Sequence, residues 1–200
     1  MQHLQELHIS SLSPKLIAEL FSCHKKLAKI IYEKIKKVSK DKIIYTKENL
    51  QDGSIKASFF IFENIAITNR INFCFLPNAK ELLYEHSYKI QQNVVLREDF
   101  VGKDDSYINE YNIYGNILVK MYDNCNILET YEYDDNDILT KMTCYVNAKP
   151  EKISEYRFNE IDKCYSVIEK DLYGNVLNSC GGIPQSNFMR PERLAFEINN

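Results

Sequence analysis

The sequence predicts an α+β fold in which an N-terminal amphipathic helix packs on a long antiparallel β-meander. Two patterns support this prediction: apolar residues recur with helical spacing between residues 13 and 39, and tyrosines mark short strands and turns from 107 to 180. The composition is that of a globular protein, with 44% apolar and 26% charged residues, and its 14 Tyr and 10 Phe favour strands. We expect one domain over residues 1–185, followed by a C-terminal tail at 186–200.

The predicted helix begins at Ser13-Pro14, because Ser caps a helix and Pro at the first position sacrifices only an amide that has no helical partner. It ends near Ser39. Placed on a helix, the apolar residues form one arc and the lysines lie opposite. His24 falls in the middle of that arc, so we expect it to be buried and hydrogen-bonded. The arc consists of Leu16, Ile17, Leu20, Phe21, Leu27, Ala28, Ile31, Ile35 and Val38.

The helix region is basic in an otherwise acidic chain. From Lys15 to Lys42 nine lysines accompany three acidic residues, a balance of +6, so the remainder sums to −9 in a chain of net charge −3. We interpret the lysines as a solvated face that offsets an acidic sheet. Contact with nucleic acid is the weaker alternative, because no Arg or aromatic residues are interleaved to contact bases. We expect no membrane partner.

Five strands are predicted between the helix and residue 98, at 43–47, 55–63, 65–75, 85–90 and 93–98. The third shows the clearest alternation, since Ile67, Ile71, Phe73 and Phe75 are separated by polar or small residues, which is typical of a strand with one buried face. The Phe-rich second and third strands must be covered, and the N-terminal helix is the expected cover.

Tyrosines mark a repeating unit in the second half of the chain. Tyr111, Tyr122 and Tyr133 are eleven residues apart, and each is followed by polar turn residues and an apolar pair. Eleven residues accommodate one strand and one turn, so each unit should form one leg of an up-and-down meander. Asn, Asp and Gly occupy the turns because they tolerate positive φ and bond to their own backbone.

Residues 110–139 and 171–177 resemble the tyrosine-aspartate repeats of Rhs and YD-repeat proteins, whose units read Tyr-Asp-x-x-Gly-Asn and then an apolar pair. Tyr122 and Tyr133 keep the Tyr-Asp pair without the Gly, whereas Gly115 and Gly174 keep Gly-Asn without the preceding Tyr-Asp. In the large Rhs shells such repeats enclose a toxin, for which 200 residues are too few. The resemblance to shorter repeat proteins, including immunity and antitoxin proteins, implies a protein-binding role.

Acidic residues and tyrosines around these turns are the candidate partner-binding site. The hypothesis is an immunity-like or antitoxin-like protein that neutralises another protein, such as a basic toxin domain, through an acidic and tyrosine-rich surface. The residues assigned to this surface are Asp123, Glu129, Tyr131, Glu132, Tyr133, Asp134, Asp135 and Asp137.

No catalytic residue, cofactor site or metal site is predicted, because the chain carries no catalytic signature and Asp134 to Asp137 does not match a calcium loop. The six cysteines include no Cys-x-x-Cys pair, and without a signal peptide we expect reduced, mostly buried thiols in a cytoplasmic protein. The alternative function is an effector or small enzyme that pairs His24 or His86 with a thiol. The oligomeric state stays open.

Overall fold

The computed structural model describes residues 5–39, 42–92 and 94–188. The described chain is mostly β, with 58% of its residues in strands and 17% helical. Within the described residues, thirteen strands follow chain order in an antiparallel meander sheet, and two α-helices have only 8 and 14 residues. The predicted α+β class is therefore wrong, because the helical part is too short to form a layer comparable with the sheet. The meander itself is confirmed.

The strands of the first half are β1 (Gln5–His8), β2 (Lys42–Asn49), β3 (Ile55–Glu63), β4 (Ala66–Phe75), β5 (Tyr84–Gln91) and β6 (Val94–Gly102). Those of the second half are β7 (Ser106–Tyr111), β8 (Ile117–Tyr122), β9 (Ile127–Tyr133), β10 (Leu139–Val146), β11 (Lys149–Asn159), β12 (Cys164–Asp171) and β13 (Val176–Pro184). The five strands expected before residue 98 are present, and β1 was not predicted.

The predicted single helix is two helices, α1 (Pro14–Phe21) and α2 (Lys25–Val38). Ser22 adopts a left-handed conformation with φ of 54°, which ends α1. The break is stable because its backbone groups are paired: Asn78 N donates to Ser22 O at 2.9 Å, and His24 N donates to Ala79 O at 3.2 Å. None of the described helices is long and apolar enough to cross a membrane.

The N-cap of α2 is His24, whose Nδ1 accepts a hydrogen bond from Lys26 N at 3.1 Å. The ring is exposed, so the expected burial of His24 is wrong. Helical periodicity misplaced it because the periodicity assumes that the helix continues through residues 22–24. Ser13 caps α1 as predicted, since its Oγ accepts from Leu16 N at 3.2 Å.

The chain divides into two compact units, one formed by Met1–Asn93 with Glu98–Asp104 and the other by Val94–Arg97 with Asp105–Asn200. In the described part of the first unit, both helices pack on β2, β3 and β4. The Phe21 ring lies 5.3 Å from that of Phe59, which lies 5.9 Å from that of Phe73. Ile31 and Ile35 of α2 are fully buried beside them. The helices therefore cover the Phe-rich strands, as the sequence predicts.

The second unit is held together by an aromatic cluster on one face of its meander. After β13 the chain forms a 3₁₀ turn, Gln185–Phe188, that brings Phe188 back to this face. The Phe188 ring lies 5.2 Å from Tyr156, 5.5 Å from Tyr165 and 6.2 Å from Tyr131. Burial of these rings supplies the hydrophobic stabilisation that the second unit lacks from helices. From residue 189 onward, the C-terminal tail expected at 186–200 lies outside the described residues.

Candidate functional site

Three turns of the second unit share one geometry. In each, an Asn or Asp accepts hydrogen bonds through its side-chain Oδ1 from the backbone N–H groups two and four residues later, at 2.8 to 3.0 Å. The residue three positions later has positive φ, which Gly adopts without strain and Asp at a cost. The accepting residues are Asn112, Asp134 and Asp171, and the positive-φ residues are Gly115, Asp137 and Gly174.

Asp137 links two of these turns. It stands where the other two turns have Gly, with φ of 60°. Its carboxylate accepts hydrogen bonds from the side-chain amides of Asn116 at 3.1 Å and Asn112 at 3.5 Å. These contacts show that the β7–β8 and β9–β10 turns are neighbours, and they offset part of the backbone strain at Asp137.

Successive turns of a meander lie at opposite edges of the sheet, so alternate turns lie side by side. One edge of the second unit carries the turns at 112–116, 134–138 and 159–163, which we call the acidic turn edge. The other edge carries the turns at 123–126, 147–148 and 171–175.

The acidic turn edge combines negative charge with exposed apolar side chains. Its only basic residue is Lys163. Three of its apolar side chains are exposed to solvent: Ile161 is 92% exposed, Tyr114 65% and Ile113 62%. Exposed apolar groups surrounded by charge of one sign are typical of a surface that contacts another macromolecule. The five carboxylates belong to Asp134, Asp135, Asp137, Glu160 and Asp162.

Three of the eight predicted partner-binding residues lie on this edge: Asp134, Asp135 and Asp137. Asp123 lies in a 3₁₀ turn at the opposite edge, where Ser106 Oγ donates to it at 3.4 Å. Glu132 is on β9, and its carboxylate binds Lys141 Nζ at 2.8 Å. Asp123 therefore cannot share one compact contact surface with the turn aspartates, whereas Glu132 lies two residues from Asp134 and is paired with a lysine.

The other three predicted residues, Glu129, Tyr131 and Tyr133, occupy the aromatic face of β9. Tyr131 is 7% exposed, and its hydroxyl donates to Glu129 at 2.7 Å. Burial, then the hydrogen bond to Glu129, raises the pKa of Tyr131 well above its ordinary value. The Tyr133 hydroxyl donates to Ile117 O at 2.7 Å, and burial raises its pKa as well. These tyrosines contribute to the core rather than to an open surface.

Sequence reasoning missed five members of the acidic turn edge: Ile113, Tyr114, Glu160, Ile161 and Asp162. The signal was present in the order of the turns, because the turn at 159–163 lies two turns after the one at 134–138 and must share its edge. Asn159 stabilises this turn by accepting from Ile161 N at 2.9 Å and donating to Asp162 at 2.8 Å.

Both ring nitrogens of His86, one of the two histidines considered for a thiol pair, lie within hydrogen-bonding distance of oxygen atoms. His86 Nε2 lies 2.6 Å from Glu98 Oε1, and its Nδ1 lies 2.9 Å from the Tyr88 hydroxyl. All six cysteines are free thiols, and Cys125 and Cys180 are exposed, so the expectation of mostly buried thiols holds for only part of the set. Within 5–39, 42–92 and 94–188, no three His, Cys, Asp or Glu side chains cluster as metal ligands would.

No protein-family model matches the chain, and no curated protein sequence is significantly similar to it. The function must therefore be inferred from the chemistry of the surfaces themselves.

Proposed function

We propose that the chain is a protein-binding module of the immunity or antitoxin kind, which neutralises a basic toxin domain by docking it on the acidic turn edge. The observation that carries this proposal is the edge itself, where five carboxylates, one lysine and three exposed apolar side chains share one row of turns. Carboxylates at the tips of rigid turns attract a basic partner over several ångströms, and the apolar side chains provide the desolvated contact.

The rigidity of the turns favours binding over catalysis. Asp134 is held by two backbone hydrogen bonds of 2.9 Å, and Asp137 by two neighbouring asparagines. A surface that is ordered before it meets its partner loses less conformational entropy on binding. The resemblance of this part of the chain to Rhs and YD repeats is consistent with the same role.

The test is a binding measurement with a basic toxin domain encoded by a neighbouring reading frame. The variant Asp135→Lys/Glu160→Lys reverses two exposed edge charges that make no hydrogen bond to the described residues, so the turns should stay intact. We expect the dissociation constant to rise at least about tenfold, since exposed ion pairs contribute about 0.2–1 kcal/mol each and reversal turns attraction into repulsion. Cells that express both the toxin and this double variant should grow more slowly than cells that express the toxin with the unmodified chain.

The matched control is Asp123→Lys/Glu151→Lys, which makes the same change in net charge away from the acidic turn edge. It should bind like the unmodified chain. If both double variants weaken binding equally, the attraction is a property of net charge and the edge has no special role. If neither does, and binding is also insensitive to salt, the acidic surface is not the toxin-binding site.

A second candidate function, a small enzyme centred on His86, is favoured by one observation. Glu98, His86 and Tyr88 form a continuous chain of hydrogen bonds, the arrangement by which a carboxylate orients a histidine that accepts a proton from a hydroxyl. Tyr88 is only 6% exposed, so a substrate has little access to its hydroxyl. For this reason the enzyme is the second candidate. If the chain itself harms cells when expressed, and His86→Gln abolishes the harm without unfolding it, the enzyme proposal gains over the binding one.

A further inference from the structure

The solvent-facing side of α2 is a strongly basic surface. Besides Lys34, five lysines of α2 are exposed, and Glu33 is the acidic residue among them. Lys34 is not part of this set, because its ammonium group pairs with Glu85 of β5. The five exposed lysines, which we call the lysine face, are Lys25, Lys26, Lys29, Lys36 and Lys37.

The lysine face and the acidic turn edge have matching dimensions. Lys29 and Lys36 lie on one side of α2, seven residues apart, which corresponds to about 10.5 Å along the helix axis. Adjacent strands are about 4.8 Å apart, so alternate turns of a meander are about 10 Å apart. A helix laid across the turns at 134–138 and 159–163 would therefore place one lysine over each.

Both surfaces also carry exposed apolar side chains. Ile30 of α2 is 38% exposed, whereas the other apolar residues of this helix face the core. Ile161 and Tyr114 are the corresponding exposed groups of the acidic turn edge, at 92% and 65%. A contact between the two surfaces buries apolar area together with opposite charges, which a salt bridge alone would not do.

We propose that the lysine face of one copy of the chain docks on the acidic turn edge of a second copy. The two surfaces differ, so the contact is head-to-tail, and each copy keeps one free surface of each kind. The association uses exposed charges in water and is weak and sensitive to salt. It uses the same edge as the proposed toxin contact but does not depend on that contact.

The test is sedimentation equilibrium of the full chain, treated with nuclease, at increasing protein concentration. In about 50 mM salt the weight-average mass should rise above the monomer mass of 23.5 kDa, and in about 500 mM salt it should return to it. Lys29→Glu/Lys36→Glu and Asp135→Lys/Glu160→Lys should each weaken self-association at least fivefold. The charge-matched controls Lys103→Glu/Lys149→Glu and Asp123→Lys/Glu151→Lys should associate like the unmodified chain.

Mixing the two test variants gives the sharpest outcome. The variant Lys29→Glu/Lys36→Glu keeps an intact acidic turn edge, and Asp135→Lys/Glu160→Lys keeps an intact lysine face. The mixture should therefore form a 1:1 dimer and no larger assembly. A chain that is monomeric at every salt concentration overturns the proposal. So does association that survives either test variant, that is not restored by mixing, or that disappears with nuclease treatment because nucleic acid bridged the copies. Failure here leaves the toxin measurement unaffected.

Discussion

Removal of the Phe188 ring is the most direct test of how the second unit is stabilised. Phe188 is 9% exposed and contacts three tyrosine rings at 5.2 to 6.2 Å, although it lies outside the meander in sequence. Phe→Ala in a core costs about 3–5 kcal/mol from lost burial and the remaining cavity. Because the 3₁₀ turn can relax into part of the space, we expect about 3 kcal/mol for Phe188→Ala.

A loss of this size is easily measured. For a chain of this length it lowers the melting temperature by about 6–12 °C, and the urea midpoint followed by tyrosine fluorescence should fall with it. Tyr173→Ala is the control, since Tyr173 is 93% exposed and its removal should change stability by less than about 0.5 kcal/mol. If Phe188→Ala costs no more than Tyr173→Ala, Phe188 does not close the aromatic cluster.

Three further outcomes are expected. Asp134→Ala should cost about 1 kcal/mol in urea unfolding because two turn amides lose their acceptor, whereas Asp135→Ala should cost nothing measurable. Ser154→Ala should leave stability unchanged or raise it by about 1 kcal/mol, since its fully buried hydroxyl has no hydrogen-bond partner of normal geometry among the described residues; a clear loss would show that the hydroxyl is paired. Burial, then Glu129 and Glu169, raises the pKa of Tyr156 to about 12. An unfolded tyrosine ionises near pH 10, so stability should fall as pH rises from about 10 to 12, and less steeply in Tyr156→Phe; equal slopes would contradict this.

The strands could be predicted because alternation of apolar residues is a local signal. The break between α1 and α2 could not, since it depends on Asn78 and Ala79, which are more than fifty residues away in the chain and supply its backbone hydrogen bonds. Helical periodicity spans residues 22–24 without revealing that Ser22 turns left-handed. The fold class was misjudged because the helical region was given the same weight as a sheet that contains most of the described residues.

The candidate site could be predicted only in part. Proximity in sequence grouped Asp123 with Asp134, although one strand separates their turns and therefore places them at opposite edges. The same reasoning grouped Glu129 with Glu132, although an odd spacing along a strand puts side chains on opposite faces. Turns alternate between the two edges, and side chains alternate between the two faces. Applied to the sequence, these two rules select Glu160 and Asp162 as neighbours of Asp134.

The strand order has a consequence for how such a chain can change length. Every strand follows its predecessor in the sheet, so each strand pairs with its neighbours in sequence, which favours rapid folding. Loss or duplication of one strand would exchange the two edges for every later turn and scatter the acidic residues. Loss or duplication of a two-stranded hairpin would leave every later turn on its original edge. Relatives of this protein should therefore differ by even numbers of strands, with the row of acidic turns longer or shorter but still on one side.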